Sequence, residues 1–133
     1  MKRILLAYDG AEPARKALET AADLAKRYEA SLTVVSVVPV HPGRAPIDPW
    51  DDREVHDAQL QEADRALREL GIEAKLMEPA GSPASTIERI AAEGGYDTIV
   101  VGARGLGAVG RILQGSVSEH VATHAEATVI IAR

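Results

Sequence analysis

The sequence predicts an α/β protein, a single doubly wound domain with five parallel strands in one sheet and four helices. Three observations carry this. Short apolar runs alternate with helically spaced apolar residues along the whole chain. The runs are rich in Val and Ile and nearly unbroken, as strands covered on both faces are. The length, 133 residues, suits one core and is too short for two.

Each element has its own signal. Ile4–Tyr8 is a short apolar run that reads as a buried first strand, and Asp9-Gly10 breaks it. A helix follows from Glu12, with Pro13 suited to its first turn. Its apolar stripe is Ala14, Ala17, Leu18, Ala21, Leu24, Ala25 and Tyr28. Leu32–Val38 is dominated by β-branched residues and forms the second strand. Pro39–Pro49 holds four prolines and a glycine, which makes it a long loop. The second helix spans Asp51–Leu70, with Val55, Ala58, Ala63, Ala66, Leu67 and Leu70 as its stripe, and Gly71 stops it. Ile72–Met77 alternates apolar and polar residues, as an edge strand does. Ser82-Pro83 opens the third helix as N-cap and first helical residue. Ile87, Ile90 and Ala91 face inward, and Gly94-Gly95 ends it. Thr98–Val101 is the fourth strand, Ser116–His124 the fourth helix and Thr128–Ala132 the last strand.

Composition narrows the function classes. The net charge is −5 and there is no long basic run, which argues against a nucleic-acid binder. Cysteine is absent, so disulfides and thiolate metal sites are ruled out. Phenylalanine is also absent, and the core must come from Val, Ile, Leu and Ala. No stretch is apolar enough to span a bilayer, and the run after Met1-Lys2-Arg3 is too short for a signal-peptide core. The expectation is a cytoplasmic protein with no membrane partner.

In a parallel α/β sheet, ligands bind at the carboxyl ends of the strands where the strand order reverses. The ends that matter are Asp9, Val37-Val38 and Gly102. The stretch from Val100 to Val121 holds five of the eleven glycines. Within it Gly105, Gly107 and Gly110 match the dinucleotide spacing G-x-G-x-x-G. That fingerprint belongs in the first βαβ unit, with an acidic residue closing the next strand. Here it follows the fourth strand, and Glu126 precedes the last one. Only 23 residues follow Gly110, too few for a second half-domain. A phosphate loop of the Walker type also fails, because no Gly-Lys-Ser/Thr follows the glycines.

A second spacing in the same stretch is more informative: Gly102-x2-Gly105-x9-Gly115-Ser116. With it come a first strand ending in Asp9-Gly10, the run "YDTIVVGARG", and the closing "GSVSEHVATHA" before an apolar strand. In these features the chain resembles the universal stress protein family over residues 1–133. The resemblance implies an adenine-nucleotide α-hydrolase-like fold with strand order 3-2-1-4-5. It also implies ATP as ligand, with Mg²⁺ or Mn²⁺ bridging phosphates, in a nucleotide-dependent regulator of the stress response. It places nucleotide contacts at Ala7, Asp9, Val37, Gly102, Arg104, Gly105, Gly115, Ser116 and Val117. Family members commonly dimerise through the last strand, which predicts a homodimer through Thr128–Ala132, the kind of apolar edge that invites pairing.

Physical chemistry supports such a loop. Gly102 lets a ligand approach the backbone without a Cβ in the way. Amides near Gly105 can curl round phosphate oxygens, and Gly115-Ser116 opens a helix whose free N–H groups attract anions. Each residue also has a plainer role. Ser116 with Glu119 forms a capping box, Asp9 can cap the first helix, and Arg104 and Arg111 can be solvated loop charges. Ala7 and Val37 would be core residues in any protein of this fold. The family often has Ser where Ala11 stands, a loss of about 1 kcal/mol if that hydroxyl capped the helix. His120 and His124 share a helix face, but no H-E-x-x-H and no third ligand accompany them, so no metal site is expected. His41 and His56 have no evident partner. No nucleophile–base pair is legible, so no catalytic residues are assigned, and slow ATP hydrolysis is the most enzymatic activity expected. The rival reading is a protein-interaction module of the same fold that does without nucleotide, acting on partners the sequence does not name.

Overall fold

The computed structural model describes residues 1–9, 12–39, 53–102, 121 and 125–132. Strands β1 (Arg3–Ala7), β2 (Ser31–Val35), β4 (Lys75–Met77), β6 (Thr98–Gly102) and β7 (Thr128–Ala132) form one sheet in the order β4-β2-β1-β6-β7. Every pairing in it is parallel. A second, two-stranded parallel sheet joins β3 (Val38–Pro39) to β5 (Ala80–Gly81). Counting only the five long-sheet strands, the order is the expected 3-2-1-4-5.

Alternation along the strands sorts the core into two layers. Ile4, Leu6, Tyr8, Leu32 and Val34 face helices α1 (Glu12–Tyr28) and α2 (Arg53–Glu69). Leu5, Val35, Val37, Ile99 and Val101 face helix α3 (Pro83–Glu93), along with the buried Val121. Helices on both faces make the sheet doubly wound. Without phenylalanine, α1 approaches the sheet on alanines: Ala14, Ala17, Ala21, Ala22 and Ala25 are all buried. The two buried tyrosines satisfy their hydroxyls, Tyr96 on Thr33 Oγ1 at 2.8 Å and Tyr8 on Glu62 Oε1 at 3.0 Å.

Several sequence expectations need correction. The apolar run Leu32–Val38 is not one strand. It leaves the main sheet after Val35, and Val38-Pro39 pairs with β5 instead. Pro39 therefore belongs to a strand, where its missing N–H is tolerated on a two-residue edge. The inward stripe of α2 is His56, Leu60, Ala63 and Leu67, while Ala58 and Leu70 are exposed. Tyr28 is 57% exposed, so α1 ends its inward stripe at Ala25. Ser82 holds the N-cap position of α3 without a side-chain cap hydrogen bond; its carbonyl instead accepts from the Thr86 N–H at 2.9 Å. Three helices are present among the described residues. The fourth, Ser116–His124, lies outside them except for Val121, which is helical and accepts a hydrogen bond from the Ala125 N–H at 2.9 Å.

Candidate functional site

Strand β1 is central, with β2 on one side and β6 on the other. The chain leaves β1 towards β2 and returns to the far side of β1 with β6, so the order reverses between β1 and β6. Their carboxyl ends open the crevice where a ligand of this fold belongs. Ala7 pairs with Val35 in register, and the Tyr8 N–H extends the ladder to the Val35 carbonyl at 3.0 Å. Asp9 follows at once and is half-buried. Gly102 ends β6, buried, opposite Ala132.

The structure brings four of the expected residues to this end of the sheet. Ala7 and Val37 belong to the same apolar layer, on the α3 side. Val37 is not the last residue of a strand, as expected, but sits in the break between β2 and β3. Asp9 and Gly102 stand at the exits of the two strands that flank the crevice. Arg104, Gly105, Gly115, Ser116 and Val117 lie outside the described residues, as do Arg111, His120 and His124.

Two polar ties escaped the sequence reading. The Ser36 hydroxyl and His56 Nδ1 share a hydrogen bond of 2.8 Å, with both side chains buried. His56 therefore has a partner, contrary to expectation. The available signal was its place on the same α2 face as Leu60, Ala63 and Leu67, where a polar residue needs a buried partner. The second tie is Tyr8 to Glu62, to which Arg15 adds an ion pair at 3.3 Å. Burial, together with the adjacent Glu62 carboxylate, pushes the Tyr8 phenol up to about 12. It stays neutral and donates throughout the physiological range. A groove of about 530 Å³ between α1 and α2 is lined by Tyr8, Arg15, Leu18, Glu62 and Ala66. It opens on the face opposite Ala7 and Val37 and is not part of the crevice.

At this end of the sheet Ala7 is partly buried and Val37 buried, both apolar, and the half-buried Asp9 brings a carboxylate, an acceptor of hydrogen bonds when ionised. Among the described residues no group of three or more His, Asp or Glu side chains is arranged to hold a metal ion. None of the described helices is long and apolar enough to cross a membrane.

Comparison with known proteins decides the family. The model of the universal stress protein family matches residues 1–133. The chain belongs to this family. It is 34% identical to a universal stress protein of Staphylococcus haemolyticus, covering 99% of this chain and 84% of that one. Among solved structures it is similar to the universal stress protein UspA from Lactobacillus plantarum, with 31% identity, a TM-score of 0.77, and 99% and 97% of the two chains covered. The universal stress protein from Archaeoglobus fulgidus, solved in complex with dAMP, shares the fold at 24% identity and a TM-score of 0.75, with 100% and 98% covered.

Proposed function

We propose that this universal stress protein binds ATP at the carboxyl ends of β1 and β6 and acts as a nucleotide-dependent regulator. One observation supports the reading: Asp9 and Gly102 follow or end the two strands between which the sheet order reverses, and Ala7 and Val37, which the family resemblance adds, lie at the same end of the sheet. The dAMP held by the Archaeoglobus fulgidus protein supports an adenine nucleotide as the ligand class. The base would lie against Ala7 and Val37, and Asp9 would take the sugar hydroxyls. Gly102 would let phosphates approach the backbone, and Arg104, Gly105, Gly115, Ser116 and Val117, which lie outside the described residues, are proposed as phosphate contacts. In this reading a divalent ion, Mg²⁺ or Mn²⁺, would enter with the nucleotide and would supply neutralisation of the phosphate charge.

The same reading includes a homodimer. Strand β7 pairs with β6 on one side and is the last strand of the main sheet, with Ile131 40% exposed. A second copy of β7 covers that edge. The direct experiment is to release and identify the nucleotide that co-purifies with the protein. ATP is expected in the wild type and absent from a folded Gly115→Val variant. Wild-type protein free of nucleotide, and unable to take up ATP, would favour the interaction-module alternative.

A further inference from the structure

Strand β2 ends at Val35 and β3 begins at Val38, so Ser36 and Val37 form the bend by which the chain leaves the main sheet. Their side chains point to opposite faces. Val37 joins the apolar layer beside Val35 and Ile87. Ser36 points beneath α2, where its hydroxyl meets His56 Nδ1 at 2.8 Å. Ser36 is 1% exposed and His56 8%.

A polar pair this deep is a poor device for stability alone. An apolar pair of similar volume would continue the stripes of both β2 and α2 with no desolvation cost. What the pair adds is direction. The hydrogen bond fixes the Ser36 rotamer and locks the first turns of α2 to the residue before Val37. The backbone on either side is held as well. The Ser36 N–H donates to the Met77 carbonyl at 3.0 Å, and the Val38 N–H to the Pro79 carbonyl at 2.8 Å. Two turns further along α2, Glu62 grips the Tyr8 hydroxyl, and Tyr8 lies between Ala7 and Asp9. Helix α2 thus holds residues adjacent to three of the proposed ligand contacts, from the face opposite the ligand.

We infer that Ser36 and His56 are a positioning pair that sets the depth of Val37, and with it the fit of the purine base. Neither side chain touches the nucleotide; both act through the Val37 backbone. The inference rests on the nucleotide-binding reading above.

Calorimetric titration of the full chain with ATP and with GTP tests it. The variants are Ser36→Ala, His56→Ala and His56→Gln, with Arg68→Ala as control on the exposed face of α2. Ser36→Ala and His56→Ala should weaken ATP binding roughly 3- to 10-fold and narrow the preference for ATP over GTP, as coupled neighbours do. His56→Gln can partner the hydroxyl in either direction and should recover to within about twofold. Arg68→Ala should bind as wild type. A purely stabilising role would shift the denaturation midpoint but leave the ATP/GTP preference of the folded protein unchanged. Wild-type affinity and preference in Ser36→Ala overturn the inference, and that variant carries the test if His56→Ala does not fold. A wild-type protein that binds neither nucleotide overturns the functional reading instead.

Discussion

At the amino end of the sheet, three helices hand over to strands through the same closed turn. At the carboxyl end, the strands run out into Asp9, Ser36-Val37 and Gly102. In each amino-end turn a residue takes the left-handed conformation: Glu29 (φ 51°), Gly71 (φ 81°) or Gly95 (φ 67°). The next N–H then closes the helix on a carbonyl five residues back, Ala30 to Ala25, Ile72 to Leu67 and Tyr96 to Ala91, each at 2.9 Å. Asp97 adds a clasp, its carboxylate accepting from the Lys2 N–H at 2.7 Å, the Arg3 N–H at 3.1 Å and the Thr98 hydroxyl at 2.8 Å. The difference teaches where each function lives. The amino end spends its polar groups on closing its own turns, while the carboxyl end carries the residues proposed here to meet a ligand.

The two ends share one core, and the largest expected effect is there. Leu6 is fully buried in the middle of β1. Leu6→Ala should lower stability by about 3 kcal/mol, and both ends should unfold in one denaturant transition. Separate transitions would show that the ends are not one cooperative unit.

The next effects should fall on one end only. Gly95→Ala forces a Cβ into the left-handed region, although no atom stands within 4 Å of it. The cost should be about 1 kcal/mol by chemical denaturation, with ATP affinity unchanged. Asp97→Asn should cost about 1 kcal/mol, small because the carboxylate is exposed. Its pH signature is sharper. Slight desolvation pushes the exposed Asp97 carboxyl upward, but the Lys2 N–H, the Thr98 hydroxyl, the Arg3 N–H and the N-terminal charge together hold it below its ordinary value of 3.8. The folded state therefore binds fewer protons than the unfolded one near that value. The clasp contributes fully above it and is lost as pH falls through the depressed value. Asp97→Asn should flatten this acid limb, and an unchanged limb would place the acid sensitivity elsewhere. A last effect is confined to high pH and is absent under ordinary conditions. The raised Tyr8 phenol means stability falls from about pH 10 and levels off above the folded value of about 12, and Tyr8→Phe should remove that slope.

Much of this was legible in the sequence, for physical reasons. Strands covered on both faces must be apolar throughout, so β1 and β6 stood out, and strand ends marked Asp9 and Gly102. The β2–β3 break did not stand out, because Val37 and Val38 continue the apolar run and only the pairing partner changes. His56 was missed because its partner lies 20 residues away in the chain and one layer down. Tyr8 looked like any strand residue, since its hydroxyl partner sits 54 residues on. Local pattern reveals burial; it does not reveal which distant polar groups meet.

The central claim is that the carboxyl end binds an adenine nucleotide while the amino end only stabilises. Calorimetric titration of ATP into wild type, Asp9→Asn and Asp97→Asn tests it directly. Wild type should bind, Asp9→Asn should bind about tenfold or more weakly with little change in stability, and Asp97→Asn should bind as wild type while unfolding more easily. Equal ATP affinity in Asp9→Asn and wild type, or a matching loss in Asp97→Asn, would contradict the account.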